Sequence, residues 1–284
     1  MCPAFETVSQ PAEIAKPSWG NITFMSAAAG GCRSGQAPGE VAQAQSQTLV
    51  PHQPFPYAIC MLYPIHVYGS PVLHKTSAKV TVFDEKLATL AQDMFETCEA
   101  APGVGLAAPQ IGLDLAMFVW MYDGPEHKGP QRGVAVNPTL LIEPVDVFEP
   151  GPADEEGCLS FPGYQYGLRR SPRAVLRAQD EKGEWYDLEA TGWFARILQH
   201  EYDHLKGRIY VDRLTGKPAH QVEKVMKREK WNVPGIVWMP GEDELYDASE
   251  EELENLAQMS AYFAGVDLAA GVSSSKDHGA SFGL

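Results

Sequence analysis

The sequence predicts an α+β fold in which antiparallel β-sheets wrap around one central helix, with an N-terminal amphipathic helix packed outside. Three observations carry that expectation. Strand-like segments crowd residues 115–190, and a turn signal joins the last two of them into a hairpin. Two stretches outside that region instead repeat apolar residues every three or four positions. The second, starting near Gly192, holds His200-Glu201-Tyr202-Asp203-His204, the HExxH pattern, whose histidines share one face of a helix.

Composition sets the outer bounds. A chain of 284 residues with a 44% hydrophobic fraction can bury a full core. No apolar run approaches the roughly 20 residues needed to span a bilayer, so a soluble protein without membrane contact is expected. A net charge of -15 and a pI near 4.9 oppose general affinity for nucleic acid, because the overall field repels phosphate. The cysteines, Cys2, Cys32, Cys60, Cys98 and Cys158, form no regular framework and favour a reducing compartment. The N-terminus lacks the basic and apolar regions of a secretory signal.

Residues 1–56 are rich in Ala, Gly, Pro, Ser and Gln without apolar periodicity, and read as an extension with little fixed structure. A compact catalytic domain is expected over 57–215, organised from about Tyr63. Asp84 can cap a helix whose Leu87, Leu90, Ala91, Met94, Phe95 and Cys98 face the core, and Cys98 is read there as packing. The run Gly103-Val104-Gly105-Leu106-Ala107-Ala108-Pro109-Gln110-Ile111-Gly112 has no lysine to make it a phosphate loop. Its glycines let the backbone approach a ligand, so a tight turn lining a site is expected.

Strands are expected at 115–120, 134–138, 173–178 and 185–190. Between the middle two, Glu155-Glu156-Gly157-Cys158-Leu159-Ser160-Phe161-Pro162-Gly163 sets Cys158 between two turn-forming glycines. A thiolate there would be a nucleophile, a metal ligand or a bystander. Thr191 or Gly192 begins the histidine helix and Lys206-Gly207 ends it. The compact unit closes at Val211-Asp212-Arg213-Leu214. Residues 216–243 then form a short helix and extension, with Lys224, Lys227, Arg228 and Lys230 on an outward face interleaved with Glu223 and Glu229. Residues 244–284 read as an acidic tail, helical over 249–259 and Ser/Gly-rich at its end.

Two imidazoles four residues apart can hold one divalent ion, and Glu201 between them can serve as general base toward a water in an open position. Trp193 and Ile197 share the helix face of His200 and would wall a pocket for an unbranched thioether side chain. Val104, Gly105 and Gly157 can offer backbone groups to an extended peptide.

Three stretches, Gly103 to Gln110, Glu156 to Ser160 and Gln199 to His204, resemble in order the three motifs of the peptide deformylases. The likeness covers about 63–214, and Trp231 to Asp243 resembles a C-terminal extension of some actinobacterial members. The resemblance implies that Cys158, His200 and His204 hold one metal ion, with water completing a tetrahedron. It favours Fe(II), whereas the thiolate and imidazole set also suits Zn(II), Ni(II) or Co(II). It casts Glu201 as the base, and the Gln110 side-chain amide and Leu159 backbone N–H as donors to the developing oxyanion. The implied substrates are N-formylmethionyl nascent peptides in the bacterial cytoplasm, with formate released. The basic face at Lys224, Lys227, Arg228 and Lys230 then suggests a transient ribosome contact. Two rivals stand beside this. A zinc metallopeptidase would take Glu223 as third ligand but leaves Cys158 and the Gly103–Gln110 loop unexplained, and a non-catalytic scaffold would keep the metal only for structure.

Overall fold

The computed structural model describes residues 61–124, 131–145, 150–242 and 244–266. Expectations for residues 1–56 and for the Ser/Gly-rich end lie outside them. In chain order the elements are β1 (Ile65–His66), α1 (Glu85–Ala100), β2 (Gly105–Ala107), β3 (Met117–Tyr122), β4 (Gln131–Ile142), β5 (Glu155–Cys158) and β6 (Phe161–Gly167). They continue with β7 (Arg173–Gln179), β8 (Trp185–Thr191), α2 (Gly192–Leu205), α3 (Gly216–Glu229), β9 (Ile236–Trp238), β10 (Leu245–Asp247) and α4 (Glu250–Ala264). Helices and antiparallel sheets mixed in this way make the fold α+β. Strands β2-β3-β4-β7-β8 form one sheet, β5-β6 a hairpin, and β1-β9-β10 a small third sheet.

Local rules explain the helices. The Asp84 side chain accepts from the N–H groups of Lys86 and Leu87, satisfying two of the donors that a helix start leaves open, so α1 begins where the sequence expects. Its Leu87, Leu90, Ala91, Met94, Phe95 and Cys98 are buried. In α2, Phe194, Ala195, Ile197 and Leu198 pack with Phe118, Trp120, Ala135 and Leu176 of the large sheet. Gly207 ends this region with a left-handed φ of 68°, and a Cβ there would meet the Lys75 nitrogen at 2.6 Å. Only glycine fits both demands.

The strands follow burial alternation. In β7, Ala174, Leu176 and Ala178 are buried while Arg173, Val175 and Arg177 face outward. Two segments differ from expectation. Gly105–Ala107 is a strand rather than a turn, because it pairs with Trp120, Val119 and Phe118 of β3. The Glu155–Gly163 stretch belongs to a hairpin whose register shifts between Gly157 and Cys158, an irregularity that re-aims the cysteine.

The unit also continues past Leu214. β9 pairs with β1, Trp238 opposite Ile65, and with β10 on its other side. Helix α4 buries Leu256 and Phe263 in the main core, the Phe263 carbonyl accepts from Thr81 and Val82, and Tyr262 donates to Asp84. Among the described residues, no helix is long and apolar enough to cross a membrane.

Asp84 thus caps α1 and anchors α4. Asp84→Ala should lower the urea midpoint of unfolding at unchanged slope. An unmoved midpoint would show that the cap contributes nothing to stability.

Candidate metal centre

Helix α2 brings His200 and His204 to one side, and the bulged end of β5 brings Cys158 to them. Cys158 Sγ lies 3.3 Å from His204 Nε2, which lies 3.3 Å from His200 Nε2. All three donor atoms fall within 4.8 Å of one another. A tetrahedral ion with ordinary metal–sulfur and metal–nitrogen bonds requires separations of roughly 3.3 Å between nitrogens and 3.6 Å between sulfur and nitrogen. Both measured separations lie within a few tenths of an ångström of those values, and the third pair stays within 4.8 Å, so the donor set suits such an ion.

The surrounding charges orient these donors. His200 Nδ1 lies 2.6 Å from Glu156 Oε1. An ionised carboxylate only accepts, so Nδ1 carries a proton, which leaves Nε2 as the nitrogen that would face a metal. Glu156 also accepts from Arg170 at 2.6 Å and from Arg196 at 2.8 Å. Burial alone would raise its carboxyl, but His200 and Arg170 outweigh that and hold it far below the usual range. Behind this pair, Asp203 accepts from Arg170 at 2.5 Å and from Arg213, while Asp154 pairs with Arg196 at 3.0 Å. The carboxylates of Glu156, Asp203 and Asp154 thus face the buried guanidiniums of Arg170 and Arg196 and, toward solvent, those of Arg213 and Arg169, so each buried charge has an opposite one beside it.

Glu201 sits in the opposite environment. It is buried, its Oε2 has no hydrogen-bond partner among the described residues, and burial pushes its carboxyl up to about 7 while His200 pulls it down. Such a group can take up and return a proton near neutrality. Gly105 lies against it so closely that a Cβ would stand 2.4 Å from Glu201 Oε1. Gln110 is fixed at one end: its Oε1 accepts from the Ala107 N–H at 2.8 Å, which turns Nε2 toward Cys158 Sγ at 3.6 Å. Its amide donors therefore face the metal position.

The remaining candidates are distributed unevenly. Val104 is exposed and Gly157 lies on the hairpin beside Cys158. Ile197 is sealed in the core cluster, whereas Trp193 is half exposed with the Arg196 guanidinium over its ring. Glu223, on α3, is exposed and pairs only loosely with His220, so it is not part of the donor cluster. Arg170, Arg196 and Asp203 escape sequence reasoning as site residues. Arg196 left one sign: it is a charge one turn before His200, on a helix otherwise apolar at that level.

A Cys-His-His donor set with a buried carboxylate beside it defines the chemistry of a metal-dependent hydrolase. Comparison with known proteins makes the class specific. Residues 62–219 match the family model described as polypeptide deformylase. Peptide deformylase of Tropheryma whipplei (strain TW08/27) is 44% identical over 196 residues, covering 64% of this chain and 94% of the relative. That of Mycolicibacterium smegmatis is 45% identical over 188 residues, covering 63% and 94%. The crystal structure of peptide deformylase from Thermus thermophilus superposes with a TM-score of 0.53 at 36% identity, covering 60% of this chain and 98% of that one. The chain belongs to the polypeptide deformylase family.

The contact at Gly105 yields a sharp expectation. Gly105→Ala should displace the Glu201 carboxylate and reduce kcat at least about a hundredfold, while metal content per chain stays at the wild-type value. Full turnover in that variant would mean the glycine contact does not position Glu201.

Proposed function

We propose that this chain performs its family's reaction, hydrolysis of the formyl group from N-terminal formylmethionine, with Cys158, His200 and His204 holding the metal. The supporting observation is the convergence of Cys158 Sγ and the two Nε2 atoms at separations suited to one tetrahedral ion. A divalent ion bound there would acidify a water and polarise the formyl carbonyl. We assign Fe(II), and with it sensitivity of activity to oxygen; Zn(II), Ni(II) and Co(II) are compatible with the same donors.

Glu201 accepts the proton of the attacking water and passes it to the departing amine. Its buried, unpaired Oε2 and its carboxyl near 7 suit both steps. The Gln110 amide and the Leu159 backbone N–H stabilise charge growing on the formyl oxygen. Glu156 keeps His200 in the tautomer that offers Nε2. Val104, Gly105 and Gly157 offer backbone groups to the extended peptide, a mode that tolerates varied sequence. Of the two residues assigned to the methionine side chain, Trp193 offers an exposed ring, whereas Ile197, sealed in the core cluster, backs the helix from behind.

The substrates are N-formylmethionyl nascent peptides, which places the enzyme in the bacterial cytoplasm. The outward residues Lys224, Lys227 and Lys230 of α3 and its C-cap, with Arg228, support a transient ribosome contact. Arg228 also donates to Tyr164 and to Glu229, so part of its charge is already engaged.

Formate release from formyl-Met-Ala-Ser, with metal measured on the same anaerobically purified sample, tests the assignment. Glu201→Gln should retain the metal and lose about a thousandfold in kcat, whereas Cys158→Ala should lose the metal itself. Full occupancy in Cys158→Ala would refute the ligand set, and zinc alone with full turnover would refute Fe(II). For the ribosome contact, co-sedimentation should weaken with salt and disappear when Lys224, Lys227 and Lys230 are changed to Glu. Binding indifferent to both would end that proposal.

A further inference from the structure

The segment after α3 lies outside the stretch matched by the family model, yet it grips the loop that carries Cys158. It runs close to the core: a Cβ on Gly69 would meet the Val233 carbonyl oxygen at 2.1 Å. The Trp231 ring stands edge-on to Phe161 with centroids 5.1 Å apart, and β9 pairs with β1. Just past β1, the Tyr68 N–H donates to the Ser160 carbonyl at 3.0 Å. From β9, the Trp238 indole N–H donates to the Leu159 carbonyl at 3.0 Å.

That carbonyl belongs to the same peptide group as the Ser160 N–H, which donates to Cys158 Sγ at 3.4 Å. Hydrogen bonds in series across one amide strengthen each other, because a donor at the oxygen makes the N–H more acidic. A hydrogen bond to a ligating thiolate in turn draws electron density from the sulfur. We propose that Trp238 is a positioning residue for the metal site: its indole N–H fixes and polarises the Leu159–Ser160 peptide, and through it sets the orientation and donor strength of Cys158 Sγ. The role assigned to Trp238 runs through this one amide.

This rests on Cys158 being a metal ligand. Trp231 supplies a control within the same segment: it is buried, but its Nε1 has no hydrogen-bond partner among the described residues. Its contribution is packing alone.

The test uses the full chain loaded with Co(II) and reads the sulfur-to-cobalt charge-transfer absorption. A wild-type protein without that band would overturn the ligand assignment itself, a failure distinct from that of the Trp238 proposal. With the band present, two substitutions remove the indole N–H: Trp238→Phe, and replacement of Trp238 by 3-benzothienylalanine, which keeps the bicyclic shape. Both should move the band to lower energy, because the sulfur becomes more electron-rich. Both should also lower kcat for formyl-Met-Ala-Ser about tenfold with KM within about twofold. Trp231→Phe should lower Tm and leave the band in place. If Trp238→Phe does not fold, the benzothienylalanine variant decides. A wild-type band and kcat in that variant, or an equal band shift in Trp231→Phe, would overturn the proposal.

Discussion

The buried Glu156 carboxylate is the constraint around which the rest is arranged. An ion removed from water is tolerated only when its lone pairs are filled by well-placed donors. Here three donors come from two places: Arg170 in the loop after β6, and Arg196 and His200 on α2. Satisfying one charge therefore docks the β5-β6 hairpin onto the helix. Cys158, two residues beyond Glu156, is carried to the histidines by that docking. The bond that pays for burial also fixes the His200 ring, so stability and the placement of the Cys-His-His cluster have a common cause.

Glu201 shows the converse. Its carboxylate is as buried as Glu156 but lacks compensating partners at one oxygen, and its ionised form is correspondingly disfavoured. Two glutamates within one site are thus driven in opposite directions by their surroundings: the paired one is held ionised, and the unpaired one is pushed toward its neutral form. The absence of a side chain at Gly105 keeps the second in place against the edge strand β2.

Much of this was legible in the sequence. The periodic burial in α1, the alternation in β7 and the HExxH spacing each arise from short-range geometry, and the chain carries them openly. Strand β2 was not legible, because three residues become a strand only through pairing with β3. The hairpin holding Cys158 was hidden for the same reason, and its one buried charge, Glu156, is partnered by buried arginines rather than by anything local. The Arg170 and Asp203 pairing joins positions with no local signature. Trp238 is the extreme case, since its partner is a backbone carbonyl that every residue possesses.

The pairing of β1 with β9 joins nearly opposite ends of the described chain. Distant contacts are entropically costly to close and form late in folding. During vectorial synthesis, a polypeptide extended only to Arg213 already contains Cys158, His200, Glu201 and His204, yet β1 still lacks its neighbouring strand and the Leu159 carbonyl its indole donor. Closure of the sheet around β1 accordingly waits on residues that lie past Cys158, Glu201 and both histidines.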